Sequence, residues 1–426
     1  MSHFGFVAPA FPSHYRALEA VASLLIDRGH GVSFFHQADA ARFLGDPRIN
    51  FHVLGTETHP AGSLDAALRR AASPGSPVGL KRVIDDLART TDMLCRELPA
   101  ALERAGVEVL VGDQMEAAAG LSAEALGLPY VSVACALPVN REPGIPLPVM
   151  PWSFGLGAKV DKLYQTSARV YDMLMSPHKR VIEHHSRAFG LAKRGALHEC
   201  LSPIAQVSQT VAAFDFPRTA LPAHFHHVGP LRNDVISSAA LPYEFDPSRP
   251  VVFASLGTLQ GQRAALFRKI SEACTRQHAQ VLIAHCGGLT RSQASALEEP
   301  GHVWVTDFAP QQAILRRADA VITHAGLNTV MDAFVAQTPI LALPIAFDQP
   351  GVAARVVHAG AGLKASVRLA GVHALSTRLE RILADPSFRM ASAKLGGAVS
   401  EAGGAARAVE IIEAVALREP LKEAAV

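Results

Sequence analysis

Between His302 and Pro350 the chain repeats one local arrangement three times, a short apolar run followed by a polar or glycine-bearing turn. The runs Val303 to Thr306, Ala320 to Thr323 and Ile340 to Leu343 are too short for helices, which suits parallel strands buried on both faces. Open α/β sheets built from such strands take their ligands at the carboxyl ends of the strands. The turn after the second run reads His324-Ala325-Gly326-Leu327-Asn328-Thr329 and leads into a helix-like run from Val330 to Ala336. A strand, a glycine turn and a helix N-terminus together present unpaired backbone N–H groups and a partial positive charge. A diphosphate fits there, with His324, Asn328 and Thr329 as further donors. The third run ends at Pro344, and Asp348-Gln349 then offer acceptors and an amide suited to sugar hydroxyls on the same sheet edge.

Strands and helices alternate in both halves of the chain. His3 to Ala8 reads as a first strand, Tyr15 to Arg28 as a helix closed by Gly29, and Gly31 to His36 as a second strand. Val107 to Gly112 and Tyr130 to Ala134 flank a helix at Glu116 to Leu126. The pattern restarts with Val251 to Ser255, a helix near Ala264 to Gln277, and Val281 to His285. Between the halves, His227-Val228-Gly229-Pro230-Leu231 and the proline-bearing stretch to Pro250 read as a linker. The expected organisation is an α/β chain of two Rossmann-like domains facing a central cleft: residues 1–228, a linker over 229–249, and residues 250–426, with a final helix that packs back on the first domain.

The 426 residues suffice for two cores. A formal charge of +2, with no clustered cationic stripe carrying aromatics, argues against nucleic acid as a partner. The cysteines Cys95, Cys135, Cys200, Cys274 and Cys286 are odd in number and lack CxxC spacing, so they read as buried reduced thiols in a cytoplasmic protein. No apolar run reaches the ~18 residues a spanning helix needs, and the N-terminus, without a basic segment, runs straight into a strand. His184-His185 and His224-Phe225-His226-His227 lack the spacing of a metal site, and read as a solvated helix face and part of the linker. No metal is expected.

The first loop, Ala8 to His14, places one histidine between the first strand and its helix. A neutral imidazole there can take a proton from an attacking hydroxyl. It needs a carboxylate to fix its tautomer, and Asp113 follows the strand Val107 to Gly112 on the same sheet edge. Taken singly, a histidine at a helix start or an aspartate after a strand is commonly structural.

The ordered set Phe308-Ala309-Pro310-Gln311, His324 to Thr329, Asp332, Thr338-Pro339, Pro344 and Asp348-Gln349 resembles the signature box of family 1 glycosyltransferases, which use nucleotide-diphosphate sugars. The resemblance implies a GT-B fold. It implies that Phe308 stacks on the base, that Gln311 lies near the nucleoside, and that His324, Asn328 and Thr329, with Gly326 in their turn, contact the diphosphate. Asp332 would then hold the ribose, and Asp348 with Gln349 the hexose. The tetrapeptide Ser255-Leu256-Gly257-Thr258 resembles the family's Ser-x-Gly-Thr loop. Three positions depart from the commonest plant pattern: Phe308 and Leu327 stand where tryptophan is usual, and Asp332 where glutamate is. His14 and Asp113 match the family's base and its carboxylate partner, implying a single inverting displacement without a cofactor.

The opening HFGFVAPAF segment, IPLPVMPW and the box are together similar to bacterial members of the family that glucosylate carotenoids. That implies UDP-glucose as co-substrate and a terminal ring hydroxyl of zeaxanthin as acceptor, giving a monoglucoside and then a diglucoside. So lipophilic an acceptor also implies peripheral contact at the inner face of the cytoplasmic membrane. Residues 137–176 form a proline-rich loop and an amphipathic helix, and Pro148, Met150, Trp152 and Phe154 are expected to wall the acceptor pocket. Ordinary domain packing accounts for these apolar residues equally well, and Lys159, Lys162 and Arg169 face either lipid headgroups or water. A macrolide or sterol transferase would share every donor residue. A catalytically silent sugar-nucleotide-binding protein would not need His14 and Asp113.

Overall fold

The computed structural model describes residues 1–73, 75–232 and 241–417, so residues 233–240 of the expected linker lie outside the described residues. Among the described residues the chain builds two parallel sheets. The first contains β1 (His3–Val7), β2 (Gly31–His36), β3 (Asn50–Val53), β4 (Val109–Asp113), β5 (Tyr130–Ala134), β6 (Ala205–Ser208) and β7 (Phe225–His227), in the order β3-β2-β1-β4-β5-β6-β7. The second contains β8 (Val251–Ser255), β9 (Gln280–Ala284), β10 (Val303–Thr306), β11 (Ala320–Thr323), β12 (Ile340–Ala342) and β13 (Gly362–Lys364), in the order β10-β9-β8-β11-β12-β13. Inner strands such as β4, β5, β8 and β9 are buried along their whole length, as expected where helices cover both faces.

The strand order reverses between β1 and β4 in one sheet and between β8 and β11 in the other. Loops diverge at such a point and leave a crevice beyond the strand ends. The two crevices carry the candidate chemistry.

The domains are tied together at several points. The C-terminal helix Gly404–Leu417 buries Ala405, Ala408, Val409, Ile412 and Val415, a helical stripe, in the same core as Phe4, Phe6, Leu18 and Val21 of the first domain. Each Val or Ile buried there contributes about 1.5–3 kcal/mol of transfer free energy. Arg355, fully buried in the helix Gln349–His358, pairs with Asp215 at 2.6 Å and lies over the Phe216 ring at 4.2 Å. Leu137 N–H donates to Asp348 Oδ2 at 3.1 Å, and Gln260 Nε2 donates to the Ala72 carbonyl at 3.0 Å.

Two expectations about the histidine clusters are corrected. His224 to His227 are not linker: Phe225–His227 is the edge strand β7, paired with β6 through Gln206↔Phe225. His185 is not solvated, being buried where its Nε2 lies 2.8 Å from Asp92 Oδ1. The Cys95, Cys135, Cys200 and Cys274 thiols are free and buried, and Cys286 is half-buried.

Candidate active site

His14 stands in the first turn of the helix Pro12–Asp27, just after β1, and Asp113 is the last residue of β4. The two strands pair in register, Val7 opposite Gly112, so adjacent strand ends bring together residues 99 positions apart. His14 Nδ1 lies 2.7 Å from Asp113 Oδ2, and the fully buried carboxylate also accepts the Met115 backbone N–H at 2.8 Å through Oδ1. An ionised carboxylate only accepts, so Nδ1 carries the hydrogen and Nε2 keeps a lone pair. Burial opposes charging of the imidazole, but the Asp113 charge and hydrogen bond, helped by Asp348, outweigh it and leave the His14 pKa raised.

Cys135, which follows β5, is the third group at this strand edge. His14, Asp113 and Cys135 each present one potential metal-ligating atom, all within 4.8 Å of one another. Burial and the neighbouring Asp113 carboxylate push the Cys135 thiol well above its ordinary range. It is therefore a protonated hydrogen-bond donor to Asp113, not a thiolate. Sequence reasoning missed it, although β5 pairs with β4 through Asp113↔Val133 and the strand-end rule points to the residue that follows.

Across the cleft, β8 leads into Ser255 to Thr258 and β11 into His324 to Thr329. The imidazole of His324 sits between two glycines: a Cβ on Gly326 would come within 2.6 Å of the ring, and one on Gly257 within 2.7 Å. Gly257 also has φ +71°, so both turns need glycine for close approach. Burial pushes the His324 pKa down to about 4. The ring is neutral at ordinary pH and has an N–H, not a positive charge, to offer a ligand.

The helix after β11 is Leu327–Val335, beginning earlier than the sequence suggests because Leu327 is buried in the second-domain core with Gly326 as N-cap. Asn328 and Thr329 therefore occupy its first turn, where backbone N–H groups lack helical partners. Asp348 stands at the N-cap position of the helix Gln349–His358 without a side-chain cap hydrogen bond. Burial raises its pKa, against the opposing effects of the Leu137 N–H and the nearby His14. Gln349 Oε1 accepts the backbone N–H groups of Ile345 and Ala346 at 2.9 and 2.8 Å, leaving its amide N–H₂ for other work.

One cavity of about 1340 Å³ runs through the cleft. His14 lines it from the first domain; from the second come Ser255, Gly257 and Thr258 on one loop, Gln311, His324, Gly326, Asn328 and Thr329 around the other, and Asp348 with Gln349. Pro148 and Met150 line it as well.

A sequence profile described as UDP-glucoronosyl and UDP-glucosyl transferase matches residues 96–398. The chain belongs to this family. It is 50% identical to the zeaxanthin glucosyltransferase of Pantoea ananas over 97% of this chain and 96% of that one. Its identity to the zeaxanthin glucosyltransferase of Pseudescherichia vulneris is 45%, over 97% and 98%. The fold is GT-B, shared with the solved glycotransferase of kitacinnamycin (TM-score 0.75, 17% identity, 97% and 98% coverage) and with a calicheamicin glycosyltransferase (TM-score 0.74, 19% identity, 98% and 99% coverage).

In this UDP-glucosyl transferase family member, four of the residues expected to bind donor or acceptor stand away from the cavity lining. Phe308 is 62% exposed and outside it. Trp152 donates from Nε1 to Ser167 Oγ at 2.9 Å, and Phe154 stacks on Phe216 with centroids 5.7 Å apart. Both serve packing of the loop, which corrects their expected place in the acceptor wall. Asp332 is buried and ion-paired to Arg232, and accepts from Gln311 Nε2 at 2.5 Å, so it stands behind Gln311 instead of lining the cavity. Arg232 also donates to the Asn328 carbonyl at 2.7 Å. It comes from the interdomain stretch, where a lone arginine carries no pattern that sequence reading could use.

Proposed function

We propose that this transferase moves glucose from UDP-glucose to the terminal ring hydroxyls of zeaxanthin, forming the monoglucoside and then the diglucoside. The observation that carries the reaction class is the His14–Asp113 pair opening on the cavity that the donor-type turns of the second domain also line. The choice of acceptor is supported by the full-length identity to two zeaxanthin glucosyltransferases.

In this reading the acceptor hydroxyl gives its proton to His14 Nε2 as its oxygen attacks the anomeric carbon. The bond from that carbon to the diphosphate oxygen breaks on the opposite face, the electron pair leaves with UDP, and the configuration inverts. Asp113 stabilises the imidazolium that forms. Free N–H groups at the start of Leu327–Val335 and the neutral His324 receive the diphosphate charge. Asp348 and Gln349 hold the glucose hydroxyls, Thr258 and Ser255 flank the phosphates, and Phe308 reaches the base only from outside the cavity lining. The reaction uses no cofactor beyond its co-substrate.

The reading also puts the protein in peripheral contact with the inner face of the cytoplasmic membrane, where so apolar an acceptor dissolves. No helix among the described residues is long and apolar enough to cross a membrane. The test is mass spectrometry of zeaxanthin in detergent micelles after incubation with UDP-glucose, with His14→Ala as control. One and two added hexoses are expected from the native protein alone. UDP binding without any carotenoid product would overturn the acceptor and direct attention to sterols and macrolides.

A further inference from the structure

The helix Ala158–Leu174 has 17 residues, and Tyr164 is the one it buries. An amphipathic helix packed on a core normally hides a whole stripe of apolar side chains. Here the apolar stripe faces outward: Leu163, Val170, Met173 and Leu174 are all exposed, Met173 to 67%. Val170 and Leu174, 46% and 45% exposed, also line the cleft cavity, as does the exposed Leu80 near the start of the helix Pro77–Ala105. Residues that are at once cavity lining and open surface mark the cavity's mouth. The mouth is rimmed with apolar side chains.

The charges on this helix are sorted as well. At about 100° per residue, Leu163, Val170 and Leu174 fall on one line, and Lys159, Lys162 and Arg169 run along one flank of it. The helix's carboxylates, Asp161 and Asp172, fall on the opposite side, and Asp172 is tied to Arg141. Exposed Lys179 and Arg180 follow at the start of the next helix, Ser176–Ala188. An apolar stripe bordered by cations is the pattern of a helix lying in a membrane interface, apolar face in the acyl boundary and cations among anionic headgroups. A protein partner would account for the apolar stripe but gives no reason for the one-sided cations.

We infer that the outward face of Ala158–Leu174 docks on an anionic lipid bilayer, so that the mouth at Leu80, Val170 and Leu174 opens onto the acyl region and the acceptor passes into the cavity without crossing water. This rests on the proposed reading of the acceptor as a lipophilic alcohol. Docking makes the apolar rim a continuation of the bilayer interior. The second hydroxyl of a diol is then presented by release to the same bilayer and re-admission of the other end.

The experiment compares the native protein with Leu163→Glu/Met173→Glu, two exposed positions outside the cavity lining, using vesicles of phosphatidylglycerol and phosphatidylcholine. The native protein is expected to cosediment with anionic vesicles, less so with pure phosphatidylcholine and less as salt rises. The double variant should lose that partition by about tenfold or more, because two charges enter the stripe that meets the acyl boundary. Its turnover of zeaxanthin in detergent should match the native protein, while turnover of zeaxanthin embedded in vesicles falls. The charge reversal Lys159→Glu/Lys162→Glu/Arg169→Glu, an independent variant, should abolish the preference for anionic lipid. Equal vesicle binding by native and variant proteins overturns the docking surface, as does a native protein that ignores anionic vesicles. Vesicle binding that follows these expectations, with no product from zeaxanthin in either medium, instead overturns the functional reading.

Discussion

The second domain sets its ligand groups within single turns, whereas the first assembles its own from segments far apart in the chain. His324, Gly326, Asn328 and Thr329 lie within six residues, and the glycine turns hold the histidine ring in place by leaving no room for a Cβ. His14 and Asp113 meet only because β1 and β4 are neighbours at the strand-order reversal, and the rest of that wall is drawn from helices and a proline-rich loop. A turn that binds a diphosphate needs backbone N–H groups at fixed spacing, so its sequence is short and constrained. An apolar acceptor wall needs only shape and hydrophobicity, which many side-chain combinations supply. On the proposed reading the donor half is therefore constrained chemistry, and the acceptor half adaptable packing.

The sharpest break of that contrast is at His14. Replacing it by alanine removes the base that the first domain contributes and should cut turnover by about 10²–10⁴-fold, the usual worth of general base catalysis. Titration calorimetry with UDP should show unchanged affinity, since the donor turns lie on the other domain. A parallel loss of UDP affinity would mean the two halves are not separable. Gly326→Ala tests the opposite wall. Its Cβ would meet the His324 ring at 2.6 Å, so the ring or the turn must move. UDP-glucose affinity should fall about tenfold, the scale of one lost charge-assisted hydrogen bond, while His14 keeps its protonation behaviour. Normal donor affinity in that variant would show that the turn is not the diphosphate site.

The same contrast decides what could be read from the chain. Buried parallel strands are near-continuous apolar runs, so β2, β5, β8 and β11 stand out with their ends in place and two parallel sheets follow, whereas GT-B is implied by the resemblance of the box. His14 and Asp113 could be paired in advance because one follows β1 and the other ends β4 on the same sheet edge, and the family resemblance gives them their roles. The start of Leu327–Val335 was obscured because Asn328 and Thr329 look like residues before a helix, and only the buried Leu327 shows otherwise. Trp152 and Phe154 illustrate the harder problem. Large apolar residues in a loop do not reveal which surface they will cover, and these two cover Ser167 and Phe216. His185 likewise gave no sign of Asp92, which comes from a helix 93 positions earlier.

At His14 the pH dependences of activity and of stability differ in sign. His14 works as a base only when neutral, and its pKa lies above the ordinary 6.5, so kcat/KM should fall as pH drops through that raised value. Asp113→Asn removes the charge that raises it and leaves burial, which lowers it, so the limb should move to lower pH while the plateau rate falls. Stability runs the other way. A histidine whose folded pKa is raised contributes stability that is fully present below 6.5 and is lost as pH rises through the folded value. Melting temperature measured against pH should therefore show His14→Gln losing more at pH 6 than at pH 8. A limb that stays in place in Asp113→Asn would remove Asp113 from the control of the base.

The smallest expected effect on turnover concerns Asp332, where the two halves touch through Arg232. The carboxylate accepts from Gln311 and is paired with Arg232, whose guanidinium also holds the Asn328 carbonyl in the first turn of the donor helix. Standing behind Gln311, it is proposed to act on the nucleotide by fixing that amide and the helix start. Asp332→Asn keeps the shape and removes the charge, so KM for UDP-glucose should rise only about two- to fivefold with kcat unchanged, the mark of lost uniform binding. Stability should fall more clearly, because Arg232 is left partly buried without its counter-charge. Arg232→Ala should reproduce the KM change, and the double variant should show less than the sum of the two, since the residues act as one unit. A far larger rise in KM for Asp332→Asn alone, with Arg232→Ala silent, would place the carboxylate directly on the ribose and make the second domain self-sufficient in binding its donor.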